Sequence, residues 1–193
     1  MKVGILSFQG SFLDHSKSIS SIGATPVLIK NEKDLYDLDA LILPGGESTA
    51  MKKIDTYSRV FTVLDEFIKS GKPTLSTCAG TILLAKEVIG GDSTIPNIDI
   101  QVTRNAYGRQ TESFEGSVSF YDNNDIYCFI RAPKITSILN DKIEVIAKHN
   151  EDIVGVKQDN IVALTFHPEL NNDKYYLNWL DNFIKEGENV RTL

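Results

Sequence analysis

Three short stretches carry residue types that can do chemistry together: Thr77-Cys78-Ala79-Gly80, Phe166-His167-Pro168-Glu169 and Leu43-Pro44-Gly45-Gly46-Glu47-Ser48. A thiol, an imidazole and a carboxylate are the parts of nucleophilic acyl transfer. The thiolate attacks, the imidazole moves the proton, and the carboxylate holds the imidazole in the useful tautomer. Cys78 lies where a short strand pattern turns sharply into a helical one between small residues, the geometry of a nucleophile elbow. Such a turn exposes the side chain and sets free backbone N–H groups and a positive helix end beside the sulfur, which favours the attacking thiolate. Gly45 and Gly46 bare a stretch of backbone that, with the N–H of Ala79, can form an oxyanion hole. That loop is no phosphate cradle, because it lacks Gly-Lys-Ser/Thr and the residue after its glycines is acidic. Each stretch also has a plainer reading: a buried structural thiol, a histidine at a strand end, a tight turn. Their combination in one chain favours the chemistry.

Those side chains need a scaffold that brings residues 78 and 167 together. Residues 2–8 form an apolar, β-branched run ending at Gln9-Gly10, which predicts a buried strand and a turn. A helix should follow, with Ser11 and Asp14 as an N-cap pair, Phe12, Ile19 and Ile22 on one face, and Gly23 at its end. Strands are predicted at 25–29 and 40–43, without the polar alternation of half-exposed sheets, as expected for parallel strands covered on both faces, and a further short strand at 73–76. Val60, Phe61, Leu64, Phe67 and Ile68 recur at helical spacing before Gly71, and residues 81–89 read as a further helix. Between about 98 and 165 the pattern shifts to short extended runs, including 118–121, 127–130, 143–148 and 161–165, which suggests antiparallel pairing. The run 161–165 places His167 at the sheet edge where open α/β folds bind ligands, with Glu169 on the same side of an extended segment. Tyr176, Leu180, Phe183 and Ile184 predict a closing amphipathic helix, and 187–193 a loose tail.

The 193 residues, 41% hydrophobic and 24% charged, suit one α/β domain spanning 1–193. A net charge of −6 and a pI near 5.1 offer nothing to nucleic acid or anionic lipid. Residues 1–8 are too short for a signal peptide and no apolar run approaches a membrane span, so the expected location is cytoplasmic, with both cysteines as thiols. Cys128 reads as a core thiol, and His15 and His149 as structural or surface residues. The three histidines are far apart in sequence, no Cys/His spacing suggests a metal, and no cofactor is implied.

Pro44-Gly45-Gly46, Thr77-Cys78-Ala79-Gly80 and His167-Pro168-Glu169 together resemble the class I, or triad, glutamine amidotransferases over nearly the whole chain. Gly46-Glu47-Ser48-Thr49, Arg104-Asn105-Ala106-Tyr107-Gly108-Arg109-Gln110 and Ile130-Arg131-Ala132-Pro133 resemble one branch of that family, the glutaminase subunits of pyridoxal 5'-phosphate synthases. The resemblance implies a single three-layer α/β domain, flavodoxin-like, with a mixed, largely parallel central sheet between helices. It implies catalytic Cys78, His167 and Glu169, an oxyanion hole at Gly46 and Ala79, and a glutamine site lined by Gly46, Glu47, Ser48, Arg104, Ile130 and Arg131. Arginines suit the α-carboxylate of an amino acid, and acidic or hydroxyl groups its ammonium. L-glutamine is the implied substrate and a synthase (lyase) subunit the implied partner, in a large hetero-oligomer that passes ammonia from one to the other. Three positions in two stretches depart from the family pattern: Ser76 replaces a usual glycine, and Phe8-Gln9-Gly10-Ser11 replaces Leu-Gln-Gly-Ala. The alternatives are a glutaminase subunit of another amidotransferase, such as imidazole glycerol-phosphate synthase, or a non-hydrolytic elbow-cysteine redox protein that would leave His167 and Glu169 idle.

Overall fold

The computed structural model describes residues 1–107, 113–171 and 173–189, with side chains of the last helix described to Glu186. In chain order its first half comprises β1 (Lys2–Leu6), α1 (Phe12–Ser21), β2 (Thr25–Ile29), β3 (Ala40–Leu43), α2 (Ser48–Ser58), α3 (Val60–Lys69), β4 (Thr74–Thr77) and α4 (Ala79–Leu84). There follow β5 (Ala85–Ile89), β6 (Ile98–Thr103), β7 (Ser113–Phe120), β8 (Asn123–Ile130), β9 (Lys134–Ile138), β10 (Glu144–His149), β11 (Asp152–Gln158), β12 (Ile161–Leu164) and α5 (Lys174–Asn189). Nine strands among these residues form the main sheet in the order β2-β1-β3-β4-β12-β11-β10-β7-β8. The first five run parallel and the last four pair antiparallel. A smaller sheet, β5-β6-β9, lies apart.

The unbroken apolar strands are explained by burial on both faces. In β3, Leu41 and Leu43 join one core with α3, α4 and the small sheet, while Ala40 and Ile42 join another with Ile19 of α1 and Tyr176, Leu180, Phe183 and Ile184 of α5. Each fully buried Leu or Ile contributes roughly 1.5–3 kcal/mol, so the two cores hold the sheet between helical layers. No described helix is long and apolar enough to cross a membrane.

Several expectations change. The predicted helix over 81–89 stops at Leu84, and Ala85–Ile89 is strand β5, paired with β6. The returning segment takes the carbonyls of Leu83 and Leu84 through the N–H groups of Ile95 and Asn97, and β-branched Val88 and Ile89 fit the new ladder. Helix α2 escapes the periodicity argument because it buries only Ser48 and Met51; Glu47 caps it instead. Ser11 precedes α1, yet its hydroxyl makes no cap hydrogen bond and Asp14 pairs with Lys17, so the N-cap pair is absent. The closing helix runs to Asn189, into the stretch read as a tail, and 190–193 lie outside the described residues. Cys128 is half-buried on edge strand β8 beside Glu115, not in the core.

Candidate active site

Strands β4 and β12 are parallel neighbours with Thr77 opposite Leu164, so the chain leaves both at the same sheet edge. Cys78 follows β4 at φ 46° and ψ −104°, a conformation costly for a side chain with a Cβ, and its N–H is tied to the Leu164 carbonyl at 2.8 Å. This is the sharp strand-to-helix turn that the sequence predicts, although the side chain it carries is buried and not exposed. Helix α4 starts so close to β3 that a Cβ on Gly80 would lie 2.1 Å from the Leu43 carbonyl oxygen. At the unusual Ser76 the hydroxyl is buried and shared between Thr81 Oγ1 (3.1 Å) and the Val162 carbonyl (3.3 Å), so the added polar group is satisfied.

His167 leaves β12 and its N–H bonds the Cys128 carbonyl at 2.9 Å, a bridge that anchors it to β8. The chain then folds into a 3-10 turn, Pro168–Leu170, in place of the extended segment predicted. That turn swings the Glu169 carboxylate back under the ring, where Oε1 accepts from Nδ1 at 2.7 Å. Both side chains are buried. Burial alone would push the Glu169 carboxyl up, but His15 and His167 hold it far below the ordinary carboxylate range. For His167, burial pulls the pKa down, while the Glu169 charge and Cys78 outweigh it and hold it well above the ordinary value. The thiol itself points to the Ile130 carbonyl at 3.5 Å, leaving His167 Nε2 without a hydrogen bond.

Above these groups opens a cavity of about 340 Å³ whose lining includes Cys78, His167, Gly46, Glu47, Ser48, Ala79, Arg104, Ile130 and Arg131. The structure thus brings every residue named from sequence for the site to one place, with Glu169 buried beneath. Glu47 caps α2 through the N–H groups of Thr49 and Ala50; burial opposes its charge, but those bonds hold its pKa below the ordinary value. Arg104 reaches Glu47 at 3.4 Å and Thr49 Oγ1 at 3.1 Å, so the two charges expected to read opposite ends of an amino acid pair across the wall. Of the longer arginine motif, Gly108, Arg109 and Gln110 lie outside the described residues. Gly45 is pinned on both sides: its N–H bonds Thr77 Oγ1 at 3.0 Å and its carbonyl accepts from the Ser11 N–H at 3.1 Å. A Cβ there would sit 2.2 Å from the His167 ring, so only glycine lets the imidazole approach the loop.

Sequence reasoning missed Ser11, His15 and Thr77. Ser11 Oγ donates to Glu169 Oε1 at 2.7 Å, and buried His15 places Nε2 3.1 Å from Thr77 Oγ1 and 3.4 Å from the same carboxylate oxygen. His15, read from sequence as a structural or surface residue, is fully buried beside Glu169. The only signal lay in the departure at residue 11.

Comparison with known proteins agrees with this geometry. A pyridoxal 5'-phosphate synthase subunit PdxT of Clostridium beijerinckii is 45% identical over 93% of this chain and 96% of its own length. The subunit of the same name from Methanocaldococcus jannaschii is 42% identical over 96% of this chain and 100% of its own. A crystal structure of a glutamine amidotransferase, 33% identical, superimposes with a TM-score of 0.87 over 95% of this chain and 98% of that one. A structure of PurLQS from Thermotoga maritima, 14% identical with a TM-score of 0.67, shares the fold. The model of the SNO glutamine amidotransferase family matches residues 5–189, and the chain belongs to that family.

Proposed function

We propose that this chain is the glutaminase subunit of a pyridoxal 5'-phosphate synthase, hydrolysing L-glutamine to L-glutamate and ammonia for vitamin B6 biosynthesis. The observation that carries the reading is the His167–Glu169 pair, 2.7 Å apart, beside the Cys78 elbow in a cavity lined by two arginines. In this mechanism the Cys78 proton passes to His167 and the sulfur attacks the side-chain carboxamide. The N–H groups of Gly46 and Ala79 receive the oxyanion, and His167 returns the proton to the departing nitrogen, which leaves as ammonia. Water, deprotonated by the same imidazole, then cleaves the thioester to glutamate and free thiol. Glu169 keeps the imidazole oriented through both halves. Arg104 and Arg131 are assigned to the substrate carboxylate, and Glu47 and Ser48 to its ammonium.

The ammonia goes to a synthase subunit, in a cytoplasmic hetero-oligomer of the two. Free ammonia made without an acceptor is wasted, so the partner completes the site. The Gly45–Gly46 peptide, with no Cβ on either side, is the element it sets, through the Gln9-Gly10 loop that lies against Gly45. A glutamine-analogue affinity label tests the site. It should modify Cys78, be blocked by glutamine, and leave Cys128 untouched; labelling of Cys128 alone, or labelling indifferent to glutamine, contradicts the reading.

A further inference from the structure

The start of α1 has no part in the cavity chemistry just described, yet Ser11, which precedes the helix, and His15 in its first turn converge on the triad. Ser11 Oγ, His15 Nε2 and His167 Nδ1 all approach one oxygen, Glu169 Oε1, at 2.7, 3.4 and 2.7 Å. His15 is fully buried with Nδ1 lacking a hydrogen-bond partner, as is Glu169 Oε2. A proton on Nδ1 would be buried without an acceptor, and a bare lone pair on Nε2 would face a carboxylate; the proton therefore belongs on Nε2. The same two residues also hold the oxyanion loop. Ser11 does so through its N–H to the Gly45 carbonyl, and His15 through Thr77, whose Oγ1 accepts the Gly45 N–H.

We propose that Ser11 and His15 are positioning residues that join the triad carboxylate and the oxyanion loop into one unit, Ser11 by donating to Glu169 Oε1 and His15 by setting its Nε2 edge 3.4 Å from that oxygen and 3.1 Å from Thr77 Oγ1, while both fix the Gly45 peptides. The inference rests on the assignment of Glu169 as orienter of His167. It gives the departure at residue 11 a consequence: where the family pattern has alanine, this chain adds a hydroxyl to the carboxylate. Donors on Oε1 share its negative charge and so temper its hold on the imidazolium. Removing one leaves more charge for His167, whose titration should then move to higher pH. The other titratable groups that face the pair are Cys78 at the elbow, which is alanine in every protein titrated below, and Cys128 on β8 and Tyr176 on α5, which are unchanged throughout.

The test follows the His167 imidazole by NMR titration in the Cys78→Ala background, which needs no glutamine turnover and so stands apart from the proposed activity. Ser11→Ala should raise the midpoint by roughly half a pH unit or more, the scale of one hydrogen bond to a charged group. His15→Leu should raise it likewise, and His15→Gln, which keeps an N–H near the Nε2 position, should return it toward the parental value. With Cys78 intact and the synthase subunit present, His15→Leu should lower kcat at least tenfold with KM for glutamine within about twofold, since His15 does not line the cavity. A midpoint unmoved or lowered in Ser11→Ala overturns the proposal, and that half-buried variant, which removes only one hydroxyl, decides the matter even if His15→Leu does not fold. Absence of glutamine hydrolysis by the parental chain would instead count against the functional reading alone.

Discussion

At the residue scale, the fate of each substitution depends on whether it touches charge or position. Glu169→Gln keeps shape but removes the anion that stabilises imidazolium, so kcat should fall by about three orders of magnitude or more with a smaller change in KM. Steady-state glutamate release measures both. The same residue carries a pH signature. Its folded-state pKa is lowered from an ordinary value of 4.5, so its contribution to stability is complete above that pH and is lost as pH falls through the folded value. Urea unfolding of the parent and Glu169→Gln should therefore give a stability difference that shrinks as pH drops below 4.5; a constant difference would show that the carboxylate is not held in its charged form by His15 and His167. Arg104→Ala and Arg131→Ala each remove a charged donor from the cavity wall, and glutamine kcat/KM should fall roughly ten- to a hundredfold. Alkylation of Cys78 by a small neutral reagent should persist in both. Unchanged glutamine dependence would leave Arg104 as no more than the partner of Glu47.

At the scale of elements, close approach sets the constraints. Gly80→Ala drives a methyl group into the Leu43 carbonyl where α4 meets β3, so it should cost about 1–3 kcal/mol in urea unfolding. Elements with a continuous apolar signal were legible beforehand. β2 and β3 match their predicted bounds, and α3 is read from the residues it buries. What escaped was set by partners distant in sequence. Ala85–Ile89 becomes a strand because β6 lies beside it, and α2 forms on a cap with little buried apolar surface. At the site, Cys78, His167 and Glu169 were legible because their chemistry is unusual and their spacing fits a shared sheet edge. Ser11 resembled a helix cap and His15 a bland histidine, since their partner Glu169 is more than 150 residues away. Only the folded register of β12 against β4 brings the two ends of the chain together.

At the scale of the molecule, the sheet carries Cys78 and His167 on its parallel half and braces them from the antiparallel half, where the Cys128 carbonyl holds the His167 N–H. In the proposed function this edge hydrolyses glutamine through Cys78 and hands ammonia to a synthase subunit. The most direct measurement assays glutamate release and pyridoxal phosphate formation together, for the parent and Cys78→Ala, with and without the synthase subunit. The parent should release glutamate slowly alone, and roughly a hundredfold or more faster with the partner, the effect of supplying one oxyanion donor. Cys78→Ala should release none, yet added ammonium should restore pyridoxal phosphate formation by the complex. Glutamate release by Cys78→Ala at the parental rate would contradict the account.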